Sequence, residues 1–221
     1  MTNAAAHELR TPLARLQFRS SLLSEEEDPE LRAQLQEGIE RNIKELQAMI
    51  DAVLQYGKIS RCDIPLHREK TRLSSWLHKI VTQERETCSL KMTLKCFATE
   101  ASVDRKLLYI ALQNLLGNAR KYARSQILLT VCPSEDKTLF IVDDDGPGVP
   151  QKHQGMLFEP FYRLDRTQDL TKGGSGLGLS FVKLIAEHHR GQVSVIKSPL
   201  GGARFILTIS SAGSDTLGNS R

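Results

Sequence analysis

The chain has 221 residues, enough for one large domain or two small ones with a real core. Apolar residues make up 40% and glycine fills 15 positions, a globular composition that argues against wholesale disorder. No run approaches the roughly 18 unbroken apolar residues that span a bilayer, so this chain is not expected to cross a membrane. The net charge of +4 and the small aromatic set of 7 Phe, 4 Tyr and 1 Trp argue against nucleic acid as a partner.

Residues 1–60 carry 7 basic and 10 acidic side chains and the remainder 23 and 16, an asymmetry that points to two units. The first unit reads as a helical hairpin turning at Ser24-Glu25-Glu26-Glu27-Asp28-Pro29. Leu9, Leu13, Leu16, Ser20 and Leu23 form one apolar seam; Leu31, Leu35, Ile39, Ile43, Leu46, Ile50 and Val53 form the other. Two such helices cannot fully bury both seams against each other, so a homodimeric four-helix bundle is expected.

On a wheel of about 100° per residue with Leu9 at zero, His7 falls at about 160°, Thr11 at about 200° and Glu8 at about 260°. A histidine, a carboxylate and a hydroxyl therefore share a water-facing surface. Pro12 removes the helical partner of the Glu8 carbonyl, a local distortion beside that histidine unless the helix starts there. A neutral imidazole keeps one lone pair free and can attack phosphorus, while Glu8 is suited to take the proton of the other nitrogen.

From Ser60 onward strands and helices mix. Helices are expected over Leu73 to Thr87, Asp104 to Tyr122 (with Asp104 as N-cap) and Leu177 to His189. Strands are expected over Leu90 to Phe97, Gln126 to Cys132, Thr138 to Asp143, Gln192 to Lys197 and Arg204 to Ile209. The order fits an α+β sandwich with helices on one face of a sheet. The expected boundaries are a hairpin at 1–60, a linker at 61–72, a second domain at 73–210 and a disordered tail at 211–221. Cys62, Cys88, Cys96 and Cys132 are widely spaced without a CxxC pair, so no zinc site or disulfide framework is expected, and a reducing compartment is the default.

Three clusters in the second unit carry chemistry. Asn114 and Asn118 lie one turn apart, followed by Lys121 and Tyr122, and amide oxygens on one helix face suit Mg²⁺ shared with phosphate. The apolar run Leu139 to Val142 enters an acidic turn in which Asp145 could accept from an exocyclic amine, while Gly146 and Gly148 allow close backbone approach. Gly174, Gly176 and Gly178 lead through Leu177 into a helix whose free N–H groups favour an anion. Between the glycine clusters, 150–172 read as a lid with at most one helical turn, around Met156 to Leu164. Phe158, Phe161 and Tyr162 could anchor this lid, and Arg163, Arg166 and Lys172 could reach phosphate.

In order and spacing, His7-Glu-Leu-Arg-Thr-Pro-Leu13, Asn114 to Tyr122, Asp145-Gly-Pro-Gly148, Phe158-Glu-Pro-Phe-Tyr-Arg163 and Gly174 to Leu179 resemble the boxes of a bacterial sensor histidine kinase core, of the envelope-stress and osmosensing type. The resemblance spans about residues 4 to 210. It implies a dimeric helical hairpin followed by a Bergerat-type ATP-binding sandwich, with ATP and Mg²⁺ as cofactors. His7 would be the phosphoacceptor, Glu8 its acid/base partner, and Thr11 a residue that positions water during dephosphorylation of a response regulator. Asn118, with Asn114, would hold Mg²⁺; Lys121 and Tyr122 would contact phosphate and adenine; Asp145 would bind the adenine amine; Arg163 would approach the γ-phosphate. The implied activity is autophosphorylation of His7, then transfer to an aspartate in the receiver domain of a response regulator. Since family members have a longer first helix before this histidine, a cytoplasmic fragment of an inner-membrane protein is expected. The rival expectation is an ATP-driven conformational clamp of the same nucleotide fold without phosphotransfer, which gives His7 no role.

Overall fold

The computed structural model describes residues 2–60, 65–86, 88–164 and 176–210; within the first helix, the side chains of residues 2–5, 7 and 8 lie outside the described set. The chain divides into two compact units, 1–62 with 159–177, and 63–158 with 178–221. The expected tail at 211–221 lies outside the described residues.

The first unit is built on α1 (Thr2–Glu25) and α2 (Pro29–Ile59). Helix α1 continues past Pro12 on both sides and does not begin there. Asp28 caps α2 by accepting from the Glu30 N–H at 2.8 Å, and Pro29 fills the first helical position, where its missing N–H costs nothing. The Arg32 guanidinium turns back to donate to the carbonyls of Leu23 and Glu26 at 3.1 and 2.6 Å, satisfying acceptors that α1 leaves open at its end.

The face joining the two helices is rotated from the expected seam. Pro12 is buried, and Gly38, Asn42, Met49 and Tyr56 are buried on α2, while Leu13, Ile43 and Ile50 are 46%, 42% and 48% exposed. A polar layer lies within this face. Arg19 donates to the Gly38 carbonyl at 3.0 Å, and Arg15 approaches Glu45 at 3.6 Å. A Cβ at Gly38 would sit 3.0 Å from the Arg19 guanidinium, so a side chain there would push that arginine aside. The apolar positions turned outward form a second stripe that this hairpin does not cover.

The second unit opens with β1 (Glu69–Arg72), α3 (Leu73–Glu86), β2 (Lys91–Cys96), β3 (Glu100–Val103) and α4 (Arg105–Tyr122). It continues with β4 (Gln126–Ser134), β5 (Lys137–Asp144), the one-turn α5 (Gln151–Gln154), α6 (Gly178–His188), β6 (Gln192–Lys197) and β7 (Ala203–Ser210). The main sheet has the order β2-β4-β5-β7-β6, antiparallel except for the β2–β4 pair. Strands β1 and β3 pair separately, with Glu69 opposite Val103, so a strand lies inside the expected linker.

Alternation along the strands builds the core. Leu129, Val142 and Phe205 are register neighbours, as are Val131, Phe140 and Leu207, and all six are buried. Against them α4 buries Leu108, Leu112, Leu115 and Leu116, and α6 buries Phe181, Val182 and Ile185, at the spacing of one helix face. Asp104 caps α4 by accepting from the N–H groups of Lys106 and Leu107 at 3.0 and 3.1 Å. At most one helical turn is expected around Met156 to Leu164; among the described residues of that segment a helical turn lies earlier, at Gln151–Gln154, where Pro150 starts it and Gly155 ends it.

Candidate functional site

Helix α4, the end of β5 and the start of β7 converge at the acidic turn. Three consecutive aspartates stand there, and each has a different duty. Asp143, fully buried, accepts from Arg204 Nε and Nη2 at 2.8 and 3.0 Å and from the Ser198 hydroxyl at 2.8 Å. Asp144, 3% exposed, uses Oδ1 to accept from the N–H groups of Gly146 and Ala203 at 2.8 and 3.1 Å, and its carbonyl accepts from Gly202 N–H at 3.2 Å. Its Oδ2 accepts nothing among the described residues. Burial pushes the Asp144 carboxyl up from the usual range; the two N–H donors oppose this, and the charges of Asp145 and Asp143 add to it.

Asp145, the residue expected to take an adenine amine, has its carboxylate committed elsewhere. It accepts from the backbone N–H groups of Arg124, Ser125 and Gln126 at 2.8, 3.1 and 3.2 Å, and from the Ser125 hydroxyl at 2.5 Å. Burial works against its ionisation, but the hydrogen bonds from Ser125, Gln126 and Arg124 outweigh it and hold the carboxyl well below the usual range. Asp145 is a staple between the acidic turn and the loop leaving α4. The acid that combines burial with an open oxygen is Asp144.

Glycines make room around it. A Cβ on Gly146 would lie 2.5 Å from the Tyr122 carbonyl, and one on Gly202 would run into Asp144 Oδ1 and the Gly146 nitrogen. Gly148 adopts φ +76° beside the Gly202 carbonyl, a conformation natural to glycine. On α4, the Asn114 amide donates to the Ile110 carbonyl at 2.8 Å, and a Cβ on Gly178 would lie 2.7 Å from its Oδ1. The first turn of α6 is therefore pressed against Asn114. Asn118, one turn on, is half-buried. The Lys121 ammonium stands 5.0 Å from the centre of the Tyr122 ring.

This donor set fits a nucleotide: an acceptor for an exocyclic amine, a cradle that side chains would fill, and N–H groups at a helix start. The amide oxygens of Asn114 and Asn118 are hard ligands of the kind Mg²⁺ shares with phosphate. No cluster of three His, Cys, Asp or Glu side chains that could hold a metal occurs among the described residues, so a cation here would depend on those amides and on the phosphates themselves.

In the first unit, Phe161 at φ +64° donates its N–H to the Gly176 carbonyl at 2.9 Å, and Gly176 at φ +69° leaves only 2.9 Å between a would-be Cβ and the Phe161 Cα. An aromatic residue in the left-handed region costs about 1–3 kcal/mol and persists only where its surroundings hold it. The two ends of the glycine-flanked segment are thus pinned together. Leu177 is fully buried, and Arg163 is half-buried. Gly174, Arg166 and Lys172 lie outside the described residues, as do the side chains of His7 and Glu8, whose backbone is helical within α1; Thr11 is exposed.

Alternation along β5 held a signal for Asp144: Thr138, Phe140, Val142 and Asp144 share the buried face, and Asp145 lies beyond the strand. Gly202, Ala203 and Arg204, more than fifty residues away in sequence, carried no such mark.

Residues 103–213 match the family of histidine kinase-, DNA gyrase B- and HSP90-like ATPases, and residues 1–61 match the His Kinase A (phospho-acceptor) domain. The sensor protein RstB of Escherichia coli (strain K12) is 36% identical over 211 residues, which cover 93% of this chain and 47% of RstB. The sensor histidine kinase CpxA of the same organism is 32% identical over 208 residues, covering 91% of this chain and 44% of CpxA. The chain thus spans about half the length of these curated relatives. Among solved structures, Acinetobacter baumannii histidine kinase AdeS superposes with a TM-score of 0.71 over 93% of this chain and 98% of AdeS, at 21% identity, a likeness of fold. No helix among the described residues is long and apolar enough to cross a membrane.

Proposed function

The chain belongs to the sensor histidine kinases, and on that premise we propose that it binds ATP with Mg²⁺, transfers the γ-phosphoryl group to His7, and passes it to an aspartate in the receiver domain of a response regulator. One observation carries this reading: a buried carboxylate with one open oxygen, Asp144, stands within a glycine cradle in a chain whose first 61 residues match a phospho-acceptor domain. A conformational clamp without phosphotransfer is not favoured, because it leaves that domain unexplained.

Asp144 Oδ2 accepts from the adenine amine, a role that the open oxygen supports and that Asp145, with its carboxylate committed to Arg124 to Gln126, does not take. Asn118 and Asn114 hold Mg²⁺, which supplies charge neutralisation at the phosphates when bound. Lys121, Arg163 and the N–H groups at Gly176, Leu177 and Gly178 meet the phosphates, and Tyr122 packs on the base. Gly146 and Gly148 let the backbone approach. At the acceptor, a His7 ring nitrogen forms a bond to the γ-phosphorus as the bond to the bridging oxygen of ADP breaks, and Glu8 takes the proton from the other ring nitrogen. In the reverse duty, dephosphorylation of the regulator, Thr11 positions the attacking water.

Dimerisation through the hairpin belongs to the same reading. Leu13, Ile43, Ile50 and Leu54 are 46%, 42%, 48% and 59% exposed, an apolar stripe that a second copy would cover in a four-helix bundle. The chain would then be the cytoplasmic part of a larger protein anchored in the inner membrane. Incubation with γ-labelled ATP tests the proposal: the protein should acquire an acid-labile, alkali-stable label that His7→Gln abolishes. Label that persists in that variant removes His7 from the role.

A further inference from the structure

The acidic turn poses an electrostatic problem that the nucleotide reading leaves open. Three aspartates in a row end β5, two of them buried, and like charges at this spacing disfavour one another's ionisation. Yet an acceptor of an amine hydrogen bond must keep its open oxygen deprotonated, because a proton there turns the acceptor into a donor facing another donor.

We propose that Arg204 is a positioning residue of the nucleotide pocket, pinning and neutralising Asp143 so that the neighbouring Asp144 stays ionised and aimed at the adenine amine. The inference rests on the reading of Asp144 as the base-binding acid. It stands on geometry. The Arg204 guanidinium meets both oxygens of Asp143 at 2.8 and 3.0 Å, and the Ser198 hydroxyl adds a third bond at 2.8 Å. Ser198 also accepts from Leu200 N–H at 3.0 Å, and its own N–H donates to the Gly202 carbonyl at 2.9 Å. The same short turn, 198–204, then delivers the Ala203 N–H to Asp144 Oδ1 and the Gly202 N–H to the Asp144 carbonyl. Arg204 and Ser198 therefore fasten the β6–β7 turn to Asp143, and that turn fixes which oxygen of Asp144 is spent and which is left open.

Among the described residues, Asp143 and Asp145 flank Asp144 and push its carboxyl up; Arg204, on β7, pairs with the first of these, and the hydrogen bonds on Asp145 come from uncharged donors. Helix α4 brings the Tyr122 carbonyl to the turn, a group with no titratable charge. Asp143 itself, wholly buried, has no other cation among its hydrogen-bond partners in the described residues.

The test is the pH dependence of ATP binding, measured by calorimetry on the full chain. Arg204→Met should move the acid limb of the binding curve to higher pH by about one unit, leaving ATP about tenfold weaker within that limb. Asp143→Asn should move the limb the other way, and Asp143→Asn combined with Arg204→Met should return it near the wild-type position. Arg204→Lys, keeping the charge, should restore most of the Arg204→Met shift. A merely structural Arg204 would lower stability and weaken ATP equally at all pH values, and an Arg204→Met limb at the wild-type position overturns the proposal. If Arg204→Met does not fold, Asp143→Asn decides, because it leaves no unpaired buried charge: an unshifted limb in that variant also overturns it. Asp144→Asn tests the underlying reading separately. ATP binding by that variant as tight as wild type refutes Asp144 as the base-binding acid, whatever the other variants do.

Discussion

Replacing Gly202 with alanine probes the pocket where it has least slack. The new Cβ would run into the Gly146 backbone nitrogen and into Asp144 Oδ1, a side-chain oxygen fixed by the N–H groups of Gly146 and Ala203. Overpacking of this kind costs about 1–3 kcal/mol. Displacing the turn also strains the bonds from Gly202 N–H and Ala203 N–H to Asp144, and a hydrogen bond to a charged group contributes about 1.5–3 kcal/mol. A net loss of about 3 kcal/mol should lower the unfolding temperature by about 6–12 °C for a protein of this size. If half of that strain falls on the ligand-facing carboxylate, ATP should bind about tenfold more weakly. Gly155→Ala is the control. No atom lies within 4 Å of a Cβ there, and the residue has φ −69° and ψ −27°, so alanine should add about 0.4–1 kcal/mol. Thermal melts with and without ATP, together with calorimetric titration, read both variants. Wild-type melting and ATP affinity in Gly202→Ala would refute the description of this turn.

Three further outcomes follow from other parts of the molecule. His189 is fully buried, its Nε2 accepts from Asp104 N–H at 3.1 Å, and burial lowers its pKa from the ordinary 6.5, against the hydrogen bond to the Ile185 carbonyl. The unfolded chain therefore binds the proton more readily, so this contribution to stability is whole above about pH 6.5 and is lost as pH falls towards the folded-state value; denaturation midpoints should drop on acidification, and His189→Gln should remove that part of the slope. Asn42 is 3% exposed and its Nδ2 has no hydrogen-bond partner among the described residues, so Asn42→Leu should stabilise the hairpin by about 1–3 kcal/mol in a denaturant series, and a loss of stability would count against the buried amide. Asp145→Ala removes the acceptor of the Arg124, Ser125 and Gln126 N–H groups, and hydrogen exchange at those three amides should accelerate while the strand amides of β4 beyond them keep their protection.

Much of the architecture could be read from periodicity, and the exceptions have local causes. The run from Asp104 to Tyr122 announces α4 by its cap and its leucine spacing, and alternation announces β4, β5 and β7. The hairpin seam turned out rotated, with Pro12, Arg15 and Arg19 lying towards α2, and a hydrophobicity pattern cannot anticipate arginines that find carbonyl and carboxylate partners across the seam. Strand β1, Glu69-Lys-Thr-Arg72, buries only Thr71 and offers no alternation to detect. At the site, the glycine turns and the two asparagines were legible as motifs. The hydrogen-bonding of Asp143, Asp144 and Asp145 cannot be read from the motif alone, because it depends on where the strand ends and on partners from β7 and the α4–β4 loop.

The central claim is that a nucleotide held at Asp144 feeds phosphoryl groups to His7. Site localisation by tandem mass spectrometry after incubation with ATP and Mg²⁺ tests it most directly, comparing the wild-type chain with Asp144→Asn. Phosphohistidine at residue 7 in the first and its near absence in the second is the expected result; phosphate on a different residue, or undiminished occupancy of His7 in Asp144→Asn, would contradict the account.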